Sequence, residues 1–363
     1  MTQLELLDGV VRGSAFLEQL TGRPVTVIGK AREAAAVAKT LQTAGAEVRV
    51  EPVATRVDLT GDALVVVTVA TALHLRAVVE ARQAGVAVLG DLDVAWLASG
   101  AEAFAITGGA DAGAATGLAA ALLTAHDRSV VSFADEATGG TREGDVLLVE
   151  PSMDQLSAMQ VFRPRVAVIL RGAPPIAVRL VRHQTGRDCL VVTDDPALRA
   201  LAGVSRARVV WLSPERALDH GVYVAFSRIA ARLNGRVEEI CPVDGIPATE
   251  LEATLAAVAC ALWAGLDPEV IGTALTRRFF VERDRVDRLP TPVDVGRVSF
   301  GRASARTLAS RARAMFWPDA EHRHGSAEAV ASVGGLGGRP EPPNGTVASV
   351  GGLGGRPEPP KVD

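Results

Sequence analysis

The sequence has few of the residues that mark a disulfide-stapled, metal-binding or membrane protein. Its three cysteines, Cys189, Cys241 and Cys260, lie far apart, form no CxxC pair and have no histidine spaced to complete a metal site. This pattern predicts reduced, buried thiols. The first residues lack the basic start and cleavage site of a signal peptide, and no uncharged apolar run reaches the roughly 18 residues of a membrane span. The sequence therefore predicts a cytoplasmic protein without a membrane span.

An excess of positive charge is also missing. The chain has 38 Lys and Arg against 42 Asp and Glu, without a basic cluster that stands out from its surroundings. We therefore expect no nucleic-acid partner, because binding a phosphate backbone requires concentrated positive charge. Apolar residues, in contrast, are plentiful. With 363 residues and 48% hydrophobic content, the chain is long enough to bury the cores of two or three domains.

The pattern along the chain is an alternation of short β-branched runs with alanine-rich helical stretches. The first series of strands begins at PVTVIG (24–29), and a second series begins at AFAITG (103–108). Strands separated by helices predict an α/β fold with parallel sheets, and the number of strands requires two separate sheets. Two consecutive helices are expected later, over 249–266 and 267–279, the second opened by Asp267 and Pro268.

This alternation ends at about residue 317. The segment VASVGGLGGRPEPP then occurs twice, starting at Val330 and at Val347. Glycine and proline at this density predict a disordered tail over 321–363, because too little apolar surface can be buried to offset chain entropy. The alternative is that the two RPEPP segments bind a protein partner as polyproline helices.

Three segments carry a resemblance to a known family. AFAITGGADAGAATGL stands where that family has an ITG-x-NGK-[ST]-T phosphate loop, and VEPSMDQLSAMQVFRPRVAVIL is similar to E-x-SSFQL followed by P-x-VAVILN. HLRAVVEARQAGVAVLGDLDVAWL matches a strand that leads to an acidic pair and an apolar helix. On these segments the chain resembles the Mur ligase family, and within it the branch that adds D-glutamate.

The resemblance implies a domain organisation. Residues 1–98 would be a Rossmann-like domain that binds a UDP-linked precursor, and residues 99–290 a central P-loop-type α/β domain with a degenerate ATP loop. Residues 291–320 would be a remnant of the C-terminal ligase domain, followed by the tail.

The phosphate loop departs from the family pattern. In P-loops a lysine reaches the β- and γ-phosphates. That position falls on Ala112 in one register and on Ala114 in the other, so neither register supplies a lysine. The resemblance implies ATP and Mg²⁺ as family cofactors, and the missing lysine predicts weak or absent ATP binding. The remnant of the loop is Thr107, Gly108, Gly113 and Thr116.

The other expected site residues come from the resemblance as well. Glu150 occupies the family's magnesium position, and Ser152 and Gln155 the positions that line the substrate groove; the alternative is a strand that ends in a helix cap, with Glu150 merely solvated. In the opening glycine turn, Gly29 and Lys30 would meet a diphosphate, with Arg32 as a second point charge. The alternative there is a solvated helix start.

Further family positions hold residues of a different kind. The metal-supporting lysine falls on Ala177 and the adenine-side residues on Thr249, Glu250 and Ala253, and His183 is more typical of an exposed helix than of catalysis. At the domain junction, Arg285 keeps the family's arginine between Asp284 and Asp287, and a later lysine position is Ser304.

The resemblance implies a MurD-like homologue of peptidoglycan precursor synthesis, and these losses predict impaired or no catalysis. Two alternatives stay open: an active UDP-MurNAc-L-Ala:D-Glu ligase with a rearranged or shared site, and a structural scaffold of a cell-wall synthesis complex. The expected partners are a UDP-MurNAc-type precursor and cell-wall synthesis enzymes.

Overall fold

The computed structural model describes residues 12–53, 56–125, 129–132 and 145–281. The expected junction arginine Arg285, the remnant at 291–320 and the tail at 321–363 lie outside these residues.

The first sheet occupies the beginning of the described chain. Its strands are parallel and lie in the order β2-β1-β3-β4. They are β1 (Pro24–Ile28), β2 (Glu47–Glu51), β3 (Leu64–Val67) and β4 (Ala87–Gly90). The helices of this part are α1 (Ser14–Glu18), α2 (Ala31–Thr43), α3 (Arg76–Gln83) and α4 (Asp91–Ser99). Strands β3 and β4 are buried throughout, as expected for parallel strands covered on both faces.

The second sheet has nine strands within the described residues, in the order β13-β12-β11-β10-β9-β8-β5-β7-β6. Its parallel strands are β5 (Glu102–Thr107), β6 (Val130–Ser132), β7 (Val146–Val149), β8 (Val166–Ile169), β9 (Cys189–Thr193), β10 (Arg208–Ser213) and β11 (Gly221–Ala225). The helices are α5 (Asp111–Thr124), α6 (Met153–Ala158), α7 (Pro196–Val204), α8 (Leu251–Trp263) and α9 (Pro268–Thr276). The expected α/β fold with two sheets is confirmed.

One edge of the second sheet differs from the fully parallel arrangement that the sequence predicts. Strands β12 (Arg228–Leu233) and β13 (Arg236–Pro242) are antiparallel additions to β11. The chain reverses between them at Asn234 and Gly235, both at positive φ, which are the residues preferred in a two-residue hairpin turn. The preceding turn uses Phe226 and Ser227, also at positive φ, and Phe226 is fully exposed.

One hydrophobic core runs through both sheets. It includes Val27 and Val66 from the first sheet, Leu97 from α4, and Ala167 and Val192 from the second sheet, all completely buried. Helices α5 and α8 cover the opposite face of the second sheet. The three cysteines are buried and unpaired, in agreement with the prediction. Among the described residues, no helix is long and apolar enough to cross a bilayer.

Candidate functional site

The turn between β5 and α5 is the position of the expected phosphate loop. The Gly109 N–H donates to the Arg171 carbonyl at 2.8 Å, and the Leu170 N–H donates to the Thr107 carbonyl at 2.9 Å. A Cβ on Gly108 would lie 2.7 Å from Leu170 Cβ, so this position requires glycine. The turn is therefore closed by the segment after β8. In a phosphate loop such N–H groups point towards the ligand instead.

The first turn of α5 carries one carboxylate and lies beside another. Asp111 is the first residue of the helix, and a Cβ on Gly113 would lie 3.5 Å from Glu150 Oε2. Carboxylates stabilise a helix N-terminus through the helix dipole, which leaves less favourable potential there for a phosphate. The Thr116 hydroxyl donates to the Ala112 carbonyl of its own helix at 2.8 Å. This bond favours a structural role for Thr116 over ligand binding.

A charge network centred on the buried carboxylate of Glu252 lies next to this turn and was missed by the sequence analysis. Glu252, at the start of α8, is 7% exposed. Its Oε1 accepts the Arg171 N–H at 2.9 Å and the Thr193 hydroxyl at 2.6 Å, and its Oε2 lies 3.7 Å from Arg171 Nε. The Arg171 guanidinium also approaches Asp195 and Glu215, at 3.9 and 3.3 Å. The chain therefore fills this part of the sheet's carboxyl edge with its own paired charges.

The neighbouring family positions are occupied by apolar or outward-facing residues. Ala177, in place of the metal-supporting lysine, is 2% exposed, and Ala253, in place of an adenine-side residue, is completely buried. Thr249 is exposed and Glu250 partly exposed. Among the described residues, no three His, Cys, Asp or Glu side chains are grouped so that they could hold a metal ion. The role expected for Glu150 stays a prediction.

His183 differs from the expected exposed helical histidine. It lies in a turn after the 3₁₀ helix Pro175–Val181, and its Nε2 is 2.8 Å from the Gln160 carbonyl. Burial lowers the pKa of His183, and the carbonyl contact raises it. This histidine joins two loops of the second sheet.

A second candidate site lies where the strands of the first sheet end. A Cβ on Gly29 would overlap the Thr68 hydroxyl, which is buried and has no hydrogen-bond partner within the described part of the chain. Lys30 is the N-cap residue of α2, and its Nζ lies 3.9 Å from Asp154 Oδ2 on α6. Gly29 and Lys30 thus lie beside the first turn of α6, which is capped by Ser152 and carries Gln155. The region between the end of β1 and the start of α6 is named the first-sheet crevice.

Ser152 and Gln155 form a reciprocal cap at the start of α6. The Gln155 N–H donates to Ser152 Oγ at 3.2 Å, and the Ser152 N–H donates to Gln155 Oε1 at 2.9 Å. The Gln155 Nε2 group then donates to Asp91 Oδ2 at 3.2 Å. Both side chains therefore have structural hydrogen bonds, and a substrate role for them stays a prediction.

Asp93 is the acceptor that fastens α4 to the loop after α6. Its carboxylate accepts four backbone N–H groups at 2.7–2.9 Å, from Gly90, Gln160, Val161 and Phe162. Burial raises the pKa of Asp93, whereas the four donors counteract this by favouring the charged form. Three of the four donors, those of Gln160, Val161 and Phe162, lie 67 to 69 residues further along the chain. Asp93 therefore joins the first sheet to the second.

Asp91 is a titratable group at the same junction. Burial raises its pKa to about 7, against the hydrogen bonds from Gln155 and the Leu92 N–H, which favour the charged form. Between the ordinary value of 3.8 and about 7, the folded protein holds a proton that the unfolded chain releases. Stability that Asp91 contributes at low pH is therefore lost as the pH rises through this window.

We expect the free energy of unfolding of the native chain to fall from pH 5 to pH 7 more steeply than that of Asp91→Asn. The additional slope is at most about 1.4 kcal/mol per pH unit, the limit for one proton. Urea denaturation at pH 5, 6, 7 and 8 measures both proteins, and the histidines cancel in the difference because they titrate in both. A difference that stays constant across this range would contradict the assignment.

Comparisons with known proteins point to one family. The chain is 28% identical over 349 residues to the UDP-N-acetylmuramoylalanine–D-glutamate ligase of Acidobacterium capsulatum, covering 81% of this chain and 74% of the relative. It is 34% identical over 150 residues to the ligase of the same name from Pelotomaculum thermopropionicum, covering 37% and 33%. It is 28% identical over 220 residues to the Bacillus subtilis ligase of the same name, covering 54% of this chain and 48% of the relative. Apart from the first, the chain spans about half or less of these relatives.

Solved structures give weaker likenesses. A murein peptide ligase from Psychrobacter arcticus is 14% identical with a TM-score of 0.47, covering 70% of this chain and 68% of that one. The UDP-N-acetylmuramate:L-alanyl-gamma-D-glutamyl-meso-diaminopimelate ligase from Neisseria meningitides is 14% identical with a TM-score of 0.48, covering 70% and 98%. No protein-family model matches the chain.

Proposed function

Because the chain belongs to the Mur ligase family, we propose that it is a MurD-like homologue that binds a UDP-MurNAc-type precursor at the first sheet without forming the amide bond. The observation that carries this proposal is the closed turn after β5, in which the Gly109 N–H is bonded to the Arg171 carbonyl. The family reaction would be the ATP-dependent addition of D-glutamate to UDP-MurNAc-L-Ala.

The residues at this turn do not fit a magnesium-bound triphosphate. A P-loop needs free N–H donors and a lysine, whereas this turn offers Ala112 and Ala114 at the two possible lysine positions. Asp111 and Glu150 add negative charge at the start of α5, and Arg171 is already paired with Glu252. Formation of an acyl phosphate depends on charge neutralisation that these side chains do not supply.

The crevice of the first sheet retains features that suit an anionic ligand. The N-terminus of the 13-residue helix α2 carries Lys30 and follows Gly29. Helix N-termini attract phosphate groups through free N–H donors and the helix dipole. The buried hydroxyl of Thr68, which has no hydrogen-bond partner within the described residues, lies beside Gly29. These features support binding of the diphosphate of a UDP-linked precursor.

Isothermal titration of the full chain tests this proposal. We expect UDP-MurNAc-L-Ala to bind without ATP. We expect Mg-ATP to give no saturable heat at concentrations up to about 1 mM, and a Kd of that size corresponds to a binding free energy of only about −4 kcal/mol. ADP release with UDP-MurNAc-L-Ala, D-glutamate and Mg-ATP measures catalysis in parallel. Steady ADP release dependent on both substrates would overturn the proposal and favour an active ligase.

A further inference from the structure

The Lys30–Asp154 pair crosses the crevice at which the proposed precursor would bind. Lys30 Nζ lies 3.9 Å from Asp154 Oδ2, and the two side chains are 66% and 49% exposed. Lys30 belongs to the turn after β1, and Asp154 to the first turn of α6. The cation expected to meet a diphosphate therefore already faces a carboxylate of the same chain.

The backbone of Asp154 is positioned by the hydrogen bonds of its neighbours. The cap formed by Ser152 and Gln155 fixes the first turn of α6, and Gln155 is bonded in turn to Asp91 at the end of the first sheet. Asp91 is 3% exposed, so its side chain is shielded from solvent. These bonds position the backbone of Asp154 beside Lys30, and the carboxylate itself is half exposed. The E-x-SSFQL motif that the segment resembles has phenylalanine at this position, so the charge is a departure of this sequence.

We propose that Asp154 competes with the diphosphate of an incoming precursor for Lys30 and thereby sets the anion affinity of the first-sheet crevice. This inference rests on the proposed function. A diphosphate must displace the Asp154 carboxylate from the Lys30 ammonium group. The bound diphosphate then lies beside the Asp154 carboxylate, which repels it. The pair thus acts as an internal competitor, and ligand binding would release Asp154 on the helix that also carries Gln155 and is capped by Ser152.

The strength of this competition follows from the exposure of the pair. Exposed ion pairs are weak, and losing one changes an equilibrium by up to about fivefold. Removal of the repulsion between the carboxylate and the bound diphosphate acts in the same direction. We expect Asp154→Asn to bind UDP-MurNAc-L-Ala and inorganic pyrophosphate about fivefold more tightly than the native chain at low salt. At about 0.5 M salt the difference should shrink, because screening weakens exposed charges.

Isothermal titration of four full-length proteins tests this proposal: the native chain, Asp154→Asn, Lys30→Ala and the double variant. The gain in affinity from Asp154→Asn should be smaller in the Lys30→Ala background, where only the repulsion between Asp154 and the diphosphate is removed. Glu269→Gln is the matched control, because Glu269 is a carboxylate in the first turn of a different helix, α9. We expect this control to bind like the native chain.

The outcomes separate this inference from the proposed function. If the native chain binds UDP-MurNAc-L-Ala and Asp154→Asn binds it equally, the competition is overturned while the proposed function stands. If the precursor does not bind but pyrophosphate binding is tighter in Asp154→Asn, the competition stands and the proposed function fails. Absence of binding to either ligand in every protein overturns both. An equal gain in Asp154→Asn with and without Lys30 overturns the competition alone.

Discussion

Replacing Asp93 with alanine should lower the free energy of unfolding by about 4 kcal/mol. The carboxylate accepts the N–H groups of Gly90, Gln160, Val161 and Phe162, and Asp93 is completely buried. In the alanine variant these donors would face a small cavity, and each buried donor without an acceptor costs about 1–3 kcal/mol before water or relaxation compensates. Urea denaturation at pH 7 measures the loss.

Two further variants calibrate this result. Asp154→Ala removes a half-exposed carboxylate from α6, for which we expect a change of less than about 1 kcal/mol. Asp93→Asn keeps one acceptor oxygen but turns an NH₂ group towards some of the donors, so its loss should approach that of alanine. If Asp93→Ala unfolded at the same urea concentration as the native chain, the carboxylate would not fasten the two sheets together.

The second large effect is expected for Glu252→Ala, with a loss of about 3 kcal/mol in the free energy of unfolding. This substitution leaves the Thr193 hydroxyl and the Arg171 N–H without their acceptor and removes a charge partner of the Arg171 guanidinium. The penalty arises mainly from the completely buried Thr193 hydroxyl and the half-buried Arg171 N–H, which lose their acceptor. Thermal or urea unfolding measures it.

Glu250→Ala is the matched control for this variant. Glu250 lies two residues earlier and is partly exposed, and its backbone carbonyl, which the substitution keeps, accepts the Thr254 hydroxyl at 2.7 Å. We expect a change within about 0.5 kcal/mol, as is usual for surface substitutions. Equal losses in the two variants would show that the start of α8 is sensitive to substitution in general, against a specific network at Glu252.

The sequence predicted the parallel strands well because they are short β-branched runs that are largely buried on both faces. The runs at β1, β3 and β5 all became strands of the expected sheets. The cap at Asp267 was also predictable, and its carboxylate accepts the Glu269 N–H at 2.9 Å. Patterns of this kind depend on residues close together in the chain, which a single sequence displays directly.

What the sequence analysis missed depends on distant residues or on an overlooked turn. Asn234 and Gly235 form a recognisable hairpin signal, so the antiparallel strands β12 and β13 were predictable and were not predicted. The pairing of Arg171 with Glu252 spans 81 positions and has no local signature. The resemblance to a family likewise showed that the lysine of the phosphate loop is missing. It did not indicate that the Arg171 carbonyl accepts the Gly109 N–H and closes the turn.

The hydrophobic cluster that continues from the first sheet into the second affects how a ligand would bind. Two bodies joined by a flexible connection must become ordered around a ligand, and the loss of their freedom reduces the affinity. Here the walls of the crevice, from the end of β1 to the start of α6, are positioned by buried side chains and by the bonds of Asp93 and Gln155. The entropic cost of ordering these residues is therefore incurred when the chain folds, so that ligand binding does not have to offset it.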